Sequence, residues 1–311
     1  MNELRRSVSG FLNIDKPSGW TSSDVVAKIR AAFGLRKRRI KVGHGGTLDP
    51  MATGVLPICI GGATRLAQFV LGGDKVYQMS AQLGEETDTY DSEGRTIAIR
   101  DFQQVTKKDV VATISGFVGE IDQVPPMYSA IKKDGQPLYK LARQGRTVDR
   151  DPRRVTISSL TLTAWDTPDF DLHIECGSGF YARSLAHDIG TRLGCGAHMT
   201  ALRRIRAGEF RVTDSVSLEQ LISAAADDLW LRFLSKPDVV LQSLMFAELD
   251  ANASAAFLRG QAVRCANLGT AGVENLARVY SDQGELLGLA IGDETGKFLK
   301  PKTVFANAQI V

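Results

Sequence analysis

The chain has 311 residues, 43 % hydrophobic and 23 % charged, enough to fill one large domain or one large and one small. Its net charge of +3 is too small to argue nucleic-acid binding from the total, so any such case rests on where the charges sit. No apolar run reaches membrane-spanning length, and the basic start MNELRRSVSG has no apolar segment behind it to act as a signal peptide. Cys59, Cys176, Cys195 and Cys265 form no CxxC pair and fit reduced thiols, so a cytoplasmic protein is expected.

Phe11 to Pro17 predicts a short strand ending in a Pro-Ser-Gly turn. Ser22 or Ser23 is the expected cap of a helix carrying Val25, Val26, Ile29 and Phe33 at helical spacing and stopped by Gly34. The basic run Arg36-Lys37-Arg38-Arg39 follows. Lys41 to Gly62 is glycine-rich, then apolar, with no helical period, which reads as a loop feeding a buried strand. Lys75 to Leu83 alternates, with Tyr77, Met79, Ala81 and Leu83 on one face of a half-buried strand.

Residues 124–154 differ in character: eight Lys and Arg stand against three Asp, punctuated by Pro125, Pro126, Tyr128 and Tyr139. A strand is expected over Leu172 to Cys176, then a helix through Leu185, Ile189 and Leu193 closed by Gly194. Ser217-Leu-Glu-Gln220 is a capping-box pattern predicting a helix through about Leu234. Lys236-Pro237-Asp238 breaks the chain, and a boundary near Met245 would divide it into 1–244 and a small β domain, 245–311. Strands and helices mix without regular alternation, so the expected class is α+β.

Three tempting motifs fail on their own terms. The glycine-rich loop Gly43–Thr47 lacks the GK[ST] ending of a phosphate-binding loop, and no G-x-S-x-G elbow supports an esterase. Gly177-Ser-Gly179-Phe-Tyr-Ala182 matches G-x-G-x-x-A, yet the acidic residue a dinucleotide site needs about twenty positions on is missing. His187, Cys195 and His198 match no zinc spacing, so structural roles are expected and no metal site.

The block GHGGTLDPMATGVLPICIG, Gly43 to Gly61, resembles the signature of the TruB family of tRNA pseudouridine synthases. Four further blocks agree in order: FLNIDKPSGWTS, KVYQMSAQLGEETDTYDSEG, QVPPMYSAIKKDGQPLYKLARQG and GFYARSLAHDIGTRLGCGAHMTALRR, together spanning Phe11 to Arg204. The resemblance implies a mixed-sheet catalytic domain with an RNA-clamping insertion at about 124–154 and a C-terminal domain similar to a PUA module. It implies an isomerase that detaches uracil from its ribose and rejoins it through C5, at position 55 of the tRNA T-arm, without a cofactor or an obligate protein partner, as a monomer.

Asp49 then matches the catalytic carboxylate, although Asp before Pro50 also reads as a helix N-cap with Pro at the first position. Arg183 matches the arginine that pairs with it, since a carboxylate kept ionised in a closed site needs a cation. Tyr77 matches the tyrosine that contacts a flipped-out base, with a core residue as its plain reading. Tyr181 and Leu202 match further pocket positions, His44 the histidine that helps extrude the base, and Lys16 is a weaker candidate, either contacting RNA or packing against the pocket loop. Lys132, Arg143 and Arg146 represent the phosphate-contacting cations of the insertion. Three rivals stay in view: a non-catalytic RNA-binding protein or tRNA chaperone, an RNA-guided relative, whose His-Ser-Gly stands where this chain has His44-Gly45-Gly46, and a dinucleotide-binding oxidoreductase, which would require nicotinamide binding.

Overall fold

The computed structural model of the chain describes residues 8–265, 276–293 and 296–305; the basic start before residue 8 lies outside them. An eleven-stranded mixed sheet dominates. Its principal strands are β1 (Gly10–Lys16), β2 (Val42–His44), β3 (Thr53–Ile60), β4 (Lys75–Leu83), β5 (Gly119–Gln123), β6 (Arg153–Asp166), β7 (Asp169–Cys176) and β8 (Ala197–Ala207). In space they run β1-β3-β8-β4-β7-β6-β5, with β2 added on β3. β8 lies parallel to β3 and antiparallel to β4, so its residues stand between the strand that follows the glycine-rich loop and the strand that carries Tyr77.

β3 is buried along almost its whole length because both its faces meet a core. Leu56, Ile58 and Ile60 join the main cluster, while Val55 and Cys59 join a second one on the opposite side. This two-sided burial explains the unbroken apolar run, which carries neither helical nor alternating period. Gly54, at φ +99°, permits the approach of β8: a Cβ there would stand 2.2 Å from the Arg204 carbonyl oxygen.

Helix α1 (Ser22–Ala32) buries Val25, Val26 and Ile29 against the sheet. Its cap is Thr21, not Ser22 or Ser23: the Thr21 hydroxyl accepts from the Asp24 amide and the Asp24 carboxylate accepts from Thr21 N–H. Ser22 is taken by another task, accepting from Leu48 N–H at 2.9 Å and donating to the Leu48 carbonyl at 3.1 Å. Helix α3 (Ala182–Leu193), numbered after α2 (Leu138–Arg143) of the insertion, packs on β8 and ends at Gly194 in the left-handed region, φ 80°. β7 before it is antiparallel to both neighbours, so Gly177–Ala182 sits in no parallel βαβ unit. The helix expected from Ser217 to Leu234 is shorter: α4 covers Leu218–Ser223, and a 3-10 segment, Ala226–Phe233, follows. The turn between them brings Trp230 onto Phe33, ring centroids 4.5 Å apart and nearly parallel, a tertiary contact that a continuous helix gives up.

The C-terminal segment forms a five-stranded sheet, β9 (Met245–Leu249), β10 (Val263–Arg264), β11 (Leu276–Ser281), β12 (Leu286–Gly292) and β13 (Phe298–Val304), ordered β9-β11-β12-β13-β10. Helix α5 (Ala251–Leu258) covers it through Phe257. The sheet meets the larger one through Leu286, Leu289 and Phe305 packed with Phe11, Val55 and Phe210. The Tyr280 hydroxyl donates to the Asp238 carboxylate at 2.8 Å.

Candidate active site

The loop between β2 and β3 is held from three sides by groups distant in sequence. Arg204, 2 % exposed, donates to the carbonyls of Gly46, Thr47 and Val55 at 3.1, 3.4 and 2.8 Å. Ser22 pins Leu48 as described. Lys16, fully buried, donates from its ammonium to the carbonyls of Pro17, Trp20 and Pro50 at 2.9, 2.6 and 3.1 Å. No helix begins at Asp49-Pro50, so the capping reading of that dipeptide is not the one realised.

Between these anchors the Asp49 side chain, 31 % exposed, meets Arg183. Arg183 Nε donates to one Asp49 carboxylate oxygen and Nη2 to the other, both at 2.9 Å, a two-pronged fork. The guanidinium is 5 % exposed and is oriented further by the Tyr128 carbonyl at 2.9 Å and the Thr89 carbonyl at 3.3 Å. A second carboxylate, Asp91, approaches Arg183 Nε to 3.5 Å and is itself tied by the Thr89 hydroxyl and the Glu93 amide. One buried cation therefore serves two carboxylates, only one of which faces outward.

Tyr77 on β4 is half-buried, its ring 6.3 Å from that of Phe180. Burial pushes its phenol pKa upward, with the Arg204 guanidinium opposing, so the hydroxyl stays protonated at neutral pH. Leu202 stands opposite Met79 in the β8–β4 register and is nearly buried. Tyr181, immediately before α3, is half-buried, and burial raises its phenol pKa too. His44 on β2 has a buried Nδ1 without a partner, and burial followed by the Arg204 charge lowers its pKa, giving a neutral imidazole.

Lys132, Arg143 and Arg146 are exposed, and the insertion carrying them has a small core of its own, Met127, Leu138 and Leu141. These three cations do not line the pocket. Lys16 packs against the loop, as one of its two readings expects, and the other is corrected: a side chain sealed from solvent and engaged by three carbonyls cannot present its charge to RNA. It is an anchor of the loop.

Burial pushes the Lys16 ammonium down to about 8 from 10.5, with the Asp49 and Glu93 carboxylates opposing. Between those values the folded protein has released a proton that the unfolded chain still holds, so stability rises with pH across the window. The unfolding free energy of wild type relative to Lys16→Met is thus expected to increase from pH 8 to 10.5 in urea titrations. Parallel pH curves for the two proteins would contradict the desolvated ammonium.

Three supporting residues escaped the sequence reading. Arg204 carried a signal: strand alternation puts it on the face of Leu202, and a charge on a core-facing position calls for a specific partner. Asp91 lies inside a quoted block with no distinguishing local pattern, and Ser22 reads in the sequence as a helix cap, not as the anchor of Leu48. His187 stacks on Tyr90 at 4.0 Å with its buried Nδ1 unpartnered, and His198 Nδ1 meets the Glu85 carbonyl at 3.1 Å.

Residues 30–182 match the model of the TruB family pseudouridylate synthase N-terminal domain. Residues 183–237 match the tRNA pseudouridylate synthase B C-terminal domain, and 247–305 the pseudouridine synthase II TruB C-terminal domain. A protein of Pseudomonas syringae pv. syringae named tRNA pseudouridine synthase B is 42 % identical over 300 residues, covering 96 % of each chain. The chain belongs to the TruB family of pseudouridylate synthases. A Syntrophotalea carbinolica protein of the same name is 51 % identical over 221 residues, 71 % of each chain. In structure, this TruB-family chain is similar to a chain of a Cbf5-Nop10-Gar1 complex, with TM-score 0.74, 27 % identity and coverage of 99 % of this chain and 87 % of that one. A chain of the archaeal box H/ACA sRNP Nop10-Cbf5 complex gives 0.72 and 26 %, covering 99 % and 89 %. The chain is a pseudouridine synthase with an α+β catalytic fold and a C-terminal β sheet.

Proposed function

We propose that this synthase acts on tRNA, isomerising the uridine at position 55 of the T-arm, with Asp49 as its catalytic carboxylate. The observation that carries the reading is the Arg183–Asp49 fork. It holds one carboxylate in a fixed direction and leaves it about a third exposed, with Asp91 filling the inner side of the same cation. Relatives that are 41–51 % identical bear the name tRNA pseudouridine synthase B, against 26–27 % for the Cbf5 chains, which supports the stand-alone tRNA enzyme over the RNA-guided relative.

The reaction breaks the N1–C1′ bond, turns the base and forms C5–C1′; the C5 proton leaves and N1 takes one up. A uridine in a folded arm must leave its stack to reach the pocket. The half-buried Tyr77 ring and the Leu202 side chain offer apolar faces to the extruded base, while the neutral His44 imidazole lies on the strand that feeds the loop. The Asp49 carboxylate, held by the Arg183 fork, supplies negative charge at C1′ or C6 as the glycosidic bond weakens. Residues 245–311 are proposed as the PUA-like RNA-binding domain; 266–275, 294–295 and 306–311 of it lie outside the described residues. The reading carries with it a cytoplasmic enzyme without an obligate protein partner.

Base-resolved mapping of an unmodified tRNA transcript after incubation with the protein is the test. One new pseudouridine in the T-arm is the expected result; binding without conversion at any position would replace the enzyme with an RNA chaperone. The insertion gives a second expectation. Replacing Lys132, Arg143 and Arg146 by Ser should weaken RNA binding about tenfold at moderate salt and reduce the slope of log K against log salt by roughly one unit per lost phosphate contact. The rate at saturating protein should stay near wild type. Unchanged slope in a salt titration would remove these residues from the RNA interface.

A further inference from the structure

Four backbone and side-chain contacts connect the start of the basic insertion to the turn that carries Tyr181 and Arg183. Gln123, the last residue of β5, is 1 % exposed, and its amide engages both backbone groups of one residue. Its Nε2 donates to the Tyr181 carbonyl at 3.0 Å and its Oε1 accepts from Tyr181 N–H at 2.8 Å. Beyond it, the Val124 carbonyl accepts from the Ser184 hydroxyl at 2.8 Å, and the Tyr128 carbonyl accepts from Arg183 Nη2 at 2.9 Å. Helix α3 has no side-chain cap of its own, so the paired amide of Gln123 is what fixes the direction in which the helix starts.

We infer that Gln123 is a positioning residue for the isomerisation, holding Tyr181 and, two residues on, the guanidinium that aims Asp49. The inference rests on the functional reading given above. A side-chain amide is suited to this place because it alone offers one donor and one acceptor in a plane, the complement of a residue's own N–H and C=O. A hydrocarbon of similar size satisfies neither. A glutamate accepts from Tyr181 N–H in both forms but donates to the Tyr181 carbonyl only when protonated. The amide is sealed away from solvent, so water cannot replace it cheaply. Since Gln123 touches backbone and not the pocket, it acts on the reaction only through the orientation of Tyr181 and Arg183. A displacement of about 1 Å at a reacting group costs on the order of a hundredfold in rate.

The experiment measures single-turnover conversion of an unmodified tRNA transcript at saturating protein for wild type, Gln123→Leu and Gln123→Glu, with RNA affinity measured alongside. Gln123→Leu is expected to lose about ten- to a hundredfold in rate while binding RNA within about threefold of wild type. Gln123→Glu should be slow at pH 8 and recover toward the wild-type rate, measured at the same pH, as the buffer is brought to pH 5.5. That recovery separates positioning from mere structural support and does not depend on the leucine variant folding. A wild-type rate in the leucine variant, a loss of rate matched by an equal loss of affinity, or a ratio of glutamate variant to wild type that is flat with pH would each overturn the inference. Conversion by wild type is the control: its absence sinks the functional reading, whereas wild-type conversion with indifferent variants sinks this inference alone.

Discussion

Replacing Asp49 by Asn is expected to lower turnover at least about a thousandfold, equivalent to roughly 4 kcal/mol of transition-state stabilisation. The substitution keeps the shape of the side chain and an oxygen for Arg183 to donate to, and removes only the charge. The loop should hold, since it is anchored by Arg204, Ser22 and Lys16 and not by the carboxylate. Arg183 should also remain in place, because Asp91 stands 3.5 Å from Nε and the Tyr128 carbonyl accepts from Nη2. Stability is therefore expected to change by no more than about 1 kcal/mol. Rejoining through C5 displaces the C5 hydrogen, so release of tritium from C5-labelled uridine in tRNA reads the loss. Release within tenfold of wild type would remove Asp49 from the chemistry.

Arg183→Met should damage both fold and function. The guanidinium is buried, forked onto Asp49 and bonded to two carbonyls, and it separates Asp49 from an almost fully buried Asp91. Without it two carboxylates face one another, and the Lys16 ammonium, which feels Asp49, is already engaged by three carbonyls. Breaking a buried pair in this way costs about 3–5 kcal/mol, and the lower end applies because Asp49 is a third exposed. Urea unfolding at pH 7.5 should show that deficit. Turnover should fall together with Asp49→Asn. Arg183→Lys is expected to recover part of the stability and little of the rate, since an ammonium supplies charge without the planar fork. A stable, active Arg183→Met protein would mean that Asp49 is oriented by something else.

What was legible in the sequence was local or periodic. The alternation from Lys75 to Leu83 matches β4 residue for residue, and Gly194 ends α3 as its position suggests. The glycine-rich loop and its buried strand were visible as an apolar run that fits neither common period, the consequence of a strand with a core on each face. Contacts between distant segments were not legible. Thr21 caps α1 because Ser22 is held by Leu48, and the helix after Ser217 stops early because Trp230 stacks on Phe33. Lys16 looks like any exposed turn lysine until three carbonyls are seen around it. The site was legible to the extent that motif resemblance pointed to Asp49, Arg183 and Tyr77. That Arg183 is shared with Asp91, and that Arg204 binds the loop, depends on segments more than ninety residues apart meeting in the fold.

The most direct test of the central claim compares wild type and Asp49→Asn under single-turnover conditions, with protein in excess over unmodified tRNA transcript and pseudouridine mapped at base resolution. The expected result is complete conversion of one T-arm uridine by wild type and none by the variant over the same interval, with RNA affinities within a few-fold of each other. Conversion of that uridine by Asp49→Asn at a comparable rate would contradict the assignment of Asp49 as the catalytic carboxylate.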